Sequence, residues 1–427
     1  MKKEILKEII RDFHINPLPP LIERDITIPL RSGKVITLVG ARRSGKTYVI
    51  FNLMDRLIKS GLDFRNILYV NFEDERIDIK HNELDLILKA YNELYPDIRN
   101  KDCYLFFDEI QNIENWEKFI RRVYDSVTRN IFITGSNSKF LSSDIATSLR
   151  GRTVSFEVFP LSFKEYLRFG KVEVDIYSSK SLAKINNYLL RFLKNGGFPE
   201  VFDYDDSMRT KTLQEYFNVM IYRDMIERYK IKNSAVLKYF LKRILASATK
   251  QLSVNTIYNE LQSSGFKIGK NQLYEFLEAC QNIFLAFVLN KYTYKLVARE
   301  LGERKIYAID NGLLNAVSFK FSEDVGKTME QAVFLELKRR GREVYFYKEK
   351  YECDFVIKEG HSVTEVIQVS NALTDKKTIE REIRGITEAC RHFGLKKGII
   401  ITGDEFQDIE LDGLKIRHVP LYRWLLE

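Results

Sequence analysis

The sequence predicts an α/β protein. A parallel sheet covered by helices comes first, a winged-helix domain follows, and a smaller α/β domain ends the chain. Three observations carry this expectation. Strand-like and helix-like stretches alternate from Lys34 to Pro160, as in a sheet whose parallel strands are joined by helical crossovers. A glycine-rich loop separates the first of those strands from the helix after it. From Met329 the pattern changes to helix, three strands, helix, strand.

Residues Met1 to about Leu30 hold a short helix and then a proline-rich turn with Pro17, Pro19 and Pro20. Lys34-Val-Ile-Thr-Leu-Val reads as a buried strand, and Thr47 to Ile58 has helical periodicity. Further strands are expected at Asn66–Phe72, Lys101–Phe107, Asn130–Thr134 and Thr153–Phe159, the last closed by Pro160. Ser162–Phe169, Leu182–Phe192 and Lys211–Lys230 look helical, and Gly196-Gly-Phe-Pro199 breaks the chain. Three helices then follow at Ser234–Thr249, Val254–Ser263 and Lys270–Gln281, with Ser253 a candidate N-cap. Leu285–Tyr294 and Arg304–Ile309 would form a hairpin after them, which completes a winged helix.

Gly40-Ala41-Arg42-Arg43-Ser44-Gly45-Lys46-Thr47 fits G-x-x-x-x-G-K-[ST], with Tyr48 continuing the helix start. Backbone N–H groups of such a loop turn inward, and the helix N-terminus adds partial positive charge, so the loop is an anion site. Gly40 and Gly45 let the backbone approach phosphates closely. Lys46 would reach the β- and γ-phosphates, and the Thr47 hydroxyl would bind Mg²⁺. Lys101-Asp-Cys-Tyr-Leu-Phe-Phe-Asp108-Glu109 is an apolar strand ending in two acids. Asp108 would hold the metal through water, and Glu109 would polarise the attacking water as general base. The core strands are followed by no N/T-K-x-D guanine-recognition motif, which favours ATP over GTP.

The 427 residues are enough for two to four domains. A hydrophobic content of 45% with 30% charged residues is that of a globular chain, and no apolar run approaches the roughly 18 residues that span a bilayer. The start alternates charged and apolar residues and does not read as a signal peptide. Cys103, Cys280, Cys353 and Cys390 are far apart, so neither a disulfide framework nor a zinc site is indicated, and a reducing cytoplasm fits. The formal charge of +9 is local: Met208 to Ile306 holds 17 Lys/Arg and 8 Asp/Glu, a net +9. Such a footprint suits nucleic acid. Lys267 and Lys270 would start the recognition helix, and Lys291, Lys295, Arg299, Arg304 and Lys305 would lie on or near the wing.

With these motifs placed, the chain resembles the archaeal-type AAA+ ATPase family, in which an AAA+ core precedes a winged helix and a nuclease-like domain. The likeness rests on Gly40-Ala-Arg-Arg-Ser-Gly-Lys-Thr, Leu105-Phe-Phe-Asp-Glu-Ile-Gln, Ile133-Thr-Gly-Ser-Asn-Ser, Leu149-Arg-Gly-Arg, Gly196-Gly-Phe-Pro-Glu and Ile306-Tyr-Ala-Ile-Asp-Asn-Gly. It implies an N-terminal segment packing on the core at 1–30, an ATPase core at 31–170, a helical connector at 171–232, a winged helix at 233–320 and a nuclease-like domain at 326–427. It implies a "sensor 1" role for Asn137 in orienting the attacking water, and a regulatory role for Asn71 in restraining Glu109. Arg150 and Arg152 lie where an arginine finger is found, which would act on a neighbouring subunit and so implies a homo-oligomer.

The C-terminal domain resembles the PD-(D/E)xK, or restriction-endonuclease-like, fold. Tyr351-Glu-Cys-Asp354 and Thr364-Glu-Val-Ile-Gln368-Val-Ser370 would be its paired strands, with Glu330 on the preceding helix. The resemblance implies a metal held by an acid and a Glu/Gln, matched by Asp354 and Gln368, and a lysine two residues on. Ser370 stands in that place and cannot supply positive charge, so a degenerate site is expected, unless Lys376 or Lys377 substitutes. The expected function is an ATP-hydrolysing protein that couples nucleotide state to binding of nucleic acid, with DNA through the winged helix as a candidate, or of a protein partner. An ATP-dependent nuclease and a slow nucleotide-gated binding module are its alternatives.

Overall fold

The computed structural model describes residues 1–137, 148–295, 302–318, 324–371 and 376–427. They divide into two compact units, Met1–Phe159 and Pro160–Glu427.

In the first unit, β1 (Val35–Val39) is buried along its whole length, as an inner strand covered on both faces requires. α2 (Lys46–Lys59) follows and turns Val49, Ile50, Leu53, Met54 and Leu57 inward at helical spacing. β2 (Ile67–Asn71), α3 (Asp85–Leu94), β3 (Tyr104–Asp108), α4 (Trp116–Ser126), β4 (Ile131–Gly135) and β5 (Thr153–Glu157) complete the unit. The sheet order is β2-β3-β4-β1-β5, and every pairing is parallel. The expected parallel sheet is therefore present. Its chain order changes direction around β1, so the loop after β1 and the ends of β3 and β4 share one edge of the sheet, where such folds bind ligands. α1 (Lys2–Ile15) buries Leu6, Ile9 and Ile10, and His14 Nε2 lies 2.8 Å from the Ile67 carbonyl oxygen. The N-terminal segment thus packs on the sheet.

In the second unit, α5 (Phe163–Phe169) opens with a capping box, in which the Ser162 hydroxyl accepts from Glu165 N–H and the Glu165 carboxylate accepts from Ser162 N–H. Phe163 and Leu167 pack in one cluster with Val333, Phe355 and Trp424. The core boundary expected at 170 therefore falls beyond the division of the chain, because α5 shares its apolar face with the later residues. α6 (Ser179–Asn195), α7 (Asp206–Val219) and a π-helical stretch (Met220–Glu227) lead to α8 (Ser234–Ala246), α9 (Val254–Ser263) and α10 (Lys270–Asn282). Ser253 caps α9, accepting from Thr256 N–H at 3.1 Å. β6 (Ala286–Asn290) and β7 (Arg304–Ala308) form the antiparallel hairpin. Three helices and a hairpin are the elements expected of the winged helix.

α11 (Asn311–Val317) and α12 (Val325–Arg339) precede β8 (Glu343–Lys348), β9 (Glu352–Glu359), β10 (Ser362–Val369), α13 (Lys376–Phe393), β11 (Lys397–Thr402), β12 (Gln407–Leu411), β13 (Leu414–Pro420) and α14 (Leu421–Leu426). Their sheet has the order β12-β13-β11-β10-β9-β8, antiparallel at both sides and parallel across β10, β11 and β13. Helix, three strands, helix and strand occur as expected, and β12, β13 and α14 are additional. The hairpin is docked on this domain. Gln331 accepts from Ala308 N–H at 2.9 Å and donates to its carbonyl at 2.6 Å. Tyr292 N–H donates to the Phe346 carbonyl at 2.7 Å, and the Tyr307 and Phe334 rings stack with centroids 4.0 Å apart. Among the described residues no helix is long and apolar enough to cross a membrane.

Candidate functional site

The loop after β1 needs its glycines for two separate reasons. A Cβ on Gly40 would meet the Val158 carbonyl oxygen at 2.2 Å, and Gly45 takes a φ of +96° as the chain turns into α2. Arg43 also sits at positive φ, +64°. Arg24, outside the motif, braces the loop by donating to the Ser44 carbonyl at 3.2 Å and the Phe159 carbonyl at 2.8 Å. Its role was not legible in the sequence, where only the loop itself carries a pattern.

Lys46 is 3% exposed. Its ammonium donates to the Gly40 and Ala41 carbonyls at 3.2 and 3.1 Å and pairs with Glu109 Oε1 at 3.2 Å. The Thr47 hydroxyl donates to Asp108 Oδ2 at 2.8 Å, so the two residues expected to hold the metal do meet. Tyr69 donates to the same oxygen at 3.1 Å, and Thr134 donates to Asp108 Oδ1. The Thr134 hydroxyl also accepts from the Glu109 N–H at 2.8 Å, which ties the end of β3 to β4. Glu109 itself has a positive φ of +51°, a backbone cost of the kind stored at functional positions.

Burial pushes the Asp108 carboxyl above its ordinary value, the Thr134 hydrogen bond opposing and the Glu109 charge adding to the rise. Burial acts on Glu109 in the same direction, but Lys46, the Gln111 amide and Arg42 outweigh it and hold Glu109 below the ordinary glutamate value. A carboxylate kept ionised beside a lysine can accept a proton from water. Ser44 Oγ is buried without a hydrogen-bond partner in the loop. A partnerless hydroxyl, a glycine with no room for a Cβ and a Thr–Asp pair suit a phosphate with a hard cation that takes few protein ligands.

The other expected residues fall as follows. Asn137 is buried just past β4. Asn71 ends β2, where its side-chain carbonyl accepts from Glu73 N–H at 2.9 Å, while Gln111 is the residue that donates to the Glu109 carboxylate. Gln111 lies within the quoted Leu105–Gln111 motif, two residues past Glu109, and that nearness was its only signal. Arg152 pairs with Asp125 at 3.0 Å and lies over the Tyr124 ring, whereas Arg150 is exposed at a φ of +50°. Arg42 pairs with Glu73 at 2.7 Å, and Tyr48 is exposed on the first turn of α2.

In the second unit Asp354 and Gln368 are brought together: Gln368 Oε1 accepts from Asp354 N–H at 3.0 Å, and Gln368 Nε2 donates to Glu382. Ser370 is buried nearby and donates its N–H to the Ile401 carbonyl at 2.9 Å. Lys305 requires a correction. It was expected among the exposed wing cations, and it is 2% exposed, its ammonium turned to Glu330, Glu352 and Asp354. The strand alternation of β7 sends it to the docked face of the hairpin. Lys267, Lys270 and Lys295 are exposed, Lys291 pairs with Glu303, Arg304 is half-buried, and Arg299 lies outside the described residues.

A five-stranded parallel sheet with this loop and these acids defines a P-loop nucleotide-binding protein. A family described as AAA domain matches residues 32–167, and one described as a domain of unknown function (DUF8612) matches 186–324. "Uncharacterized protein MJ1544" of Methanocaldococcus jannaschii is 39% identical over 440 residues, covering 100% of this chain and 96% of that one. An uncharacterized protein of Haemophilus influenzae is 29% identical, covering 92% of this chain and 94% of that one. The chain belongs to one family with the Methanocaldococcus protein, and it is a nucleotide-binding AAA+ protein of the P-loop class. Among solved structures, the Aeropyrum pernix ORC1 protein in complex with DNA is similar at 13% identity and a TM-score of 0.30, over 74% of this chain and 91% of that one.

Proposed function

We propose that the chain hydrolyses ATP with Mg²⁺ and couples its nucleotide state to the binding of DNA or a protein partner by residues 160–427. The observation that carries the ATPase reading is the 2.8 Å bond between Thr47 and Asp108 beside the Lys46–Glu109 pair. Bound Mg-ATP supplies the phosphoryl group that passes to water. The chain's own residues bind and orient. Lys46 exchanges its carbonyl contacts at Gly40 and Ala41 for phosphate oxygens, which draw an ammonium more strongly than neutral carbonyls do. Thr47 and Asp108 hold the cation. Glu109, once Lys46 has turned away, takes the proton of the attacking water, with Gln111 fixing its carboxylate. Asn137 orients that water. Arg150, exposed where Arg152 is already paired, is the better placed of the two to act as a finger on a neighbouring subunit.

The DNA reading rests on the exposed Lys267 and Lys270 at the start of α10, within the most basic part of the chain. The docked hairpin removes Lys305 from that surface. Multiple-turnover ATP hydrolysis, measured with and without double-stranded DNA, tests the proposal. Hydrolysis that DNA stimulates supports both parts, and turnover too slow to exceed one ATP per chain supports the nucleotide-gated binding module instead.

A further inference from the structure

Glu330 on α12 and Glu352 and Asp354 on β9 converge on one point, and an ammonium occupies it. Lys305 Nζ lies 3.1 Å from Glu330 Oε1, 2.7 Å from Glu352 Oε1 and 3.0 Å from Asp354 Oδ1. The cation is not placed by chance rotation of a surface side chain. Its strand is fixed by both Gln331 hydrogen bonds to Ala308, and its neighbour Tyr307 donates to Glu330 Oε1 at 2.6 Å. The second Asp354 oxygen accepts from Val369 N–H at 3.1 Å, so the carboxylate is held with Oδ1 toward the lysine. The carboxyl groups line a cleft of about 780 Å³ that also includes Gln368, Ser370, Arg381 and Glu382.

The nuclease-like resemblance implies a divalent metal at Asp354 and Gln368. The residues present do not fit one. Gln368 turns its carbonyl to Asp354 N–H and its amide to Glu382, and among the described residues no group of three or more His, Cys, Asp or Glu is arranged to hold a metal ion. Three oxygens from three separate carboxyl groups instead converge on one point at ammonium distance, 2.7 to 3.1 Å, and would have to close in to hold a divalent cation, whose oxygens lie at about 2.0–2.6 Å.

We infer that the Lys305 ammonium is the resident cation of the Glu330–Glu352–Asp354 cluster, a tethered substitute for a divalent metal that keeps metal out of the domain. The lysine that the β10 position lacks at Ser370 is thus supplied from β7, and it neutralises the acids instead of assisting a metal. Removing its charge turns the cluster into a latent divalent-cation site. The inference is independent of the ATPase reading.

Mn²⁺ binding to the nucleotide-free full chain, followed by electron paramagnetic resonance, tests it. The wild type is expected to show no Mn²⁺ binding that depends on Asp354, as judged against Asp354→Asn. Lys305→Met is expected to gain one site per chain, at least about tenfold tighter than any in the wild type. That site should vanish in the Lys305→Met/Asp354→Asn double variant, and Mn²⁺ should raise the melting temperature of Lys305→Met alone. Asp354-dependent Mn²⁺ binding by the wild type overturns the inference, as does a folded Lys305→Met that takes up none. If Lys305→Met does not fold, the wild type against Asp354→Asn decides, and Lys305→Arg, which keeps the charge, should fold and behave as the wild type.

Discussion

Lys46 and Lys305 are each almost fully buried beside carboxyl groups, but their surroundings share out the charge differently. Lys46 meets two neutral backbone carbonyls and one carboxylate, Glu109. Lys305 meets three carboxyl groups, those of Glu330, Glu352 and Asp354. Burial alone would pull the Lys305 pKa down, yet Asp354, Tyr307, Glu330 and Glu352 more than offset it and raise it well above the ordinary lysine value. A lysine held mainly by dipoles can leave them for a phosphate. One held by several acids is part of the framework, because removing it strands buried negative charge. On the proposed function, the same residue type, buried to the same degree, would serve a ligand in the first unit and the fold in the second.

Four substitutions would break or sharpen this contrast. The largest effect is expected from Lys46→Ala, which should take nucleotide binding or hydrolysis below detection while leaving the chain folded; a nucleotide-binding titration and circular dichroism check both halves. Glu109→Gln should keep ATP bound and slow its hydrolysis by about 10²–10⁴-fold, the usual loss of a general base. Hydrolysis by that variant at the wild-type rate would move the base elsewhere, and Gln111 and Asn137 would be the next positions to change.

Lys305→Met should leave ATP hydrolysis intact and instead destabilise the second unit by about 3–5 kcal/mol in denaturant unfolding. Loss of less than ~1 kcal/mol would mean that the acids relax or take up protons without cost, and the contrast with Lys46 would fail. The fourth effect is one of pH. Burial pushes the Glu330 carboxyl up to about 8, the Asp354 charge adding and Lys305 opposing. The folded chain then binds a proton that the unfolded chain has released from a glutamate of ordinary value 4.5. The contribution is fully present below that value and is lost as pH rises through about 8. Glu330→Gln should flatten the fall in stability across that window, and an unchanged pH profile would show that Glu330 is ionised throughout.

Several features were legible because they are local. The loop from Gly40 to Thr47, the apolar strand ending in Asp108-Glu109 and the Ser253 cap are each written in a few consecutive residues, and all three lie where they were expected. β12 was missed because Gln407-Asp-Ile-Glu-Leu is polar and mostly exposed at the sheet's edge, where charges protect an open strand and hide its period. β13 alternates buried and exposed residues and was detectable. Arg24 stands outside every motif, and Tyr69 and Thr134 lie on expected strands that say nothing of their partners, so their service to the loop and to Asp108 follows only from the packing.

What the sequence by itself determined is the P-loop class, the alternating strand–helix core and the pairing of a phosphate-binding loop with two acids, since backbone geometry and local charge suffice to specify an anion site. What only the tertiary structure decided is where Lys305 goes. In the sequence it stands beside Arg304, two cations in the basic stretch. Hairpin alternation and docking leave Arg304 half-buried and place Lys305 among acids 25 to 49 residues away along the chain. Burial of a charge depends on which distant partners the fold brings to it, and no window of consecutive residues contains that information.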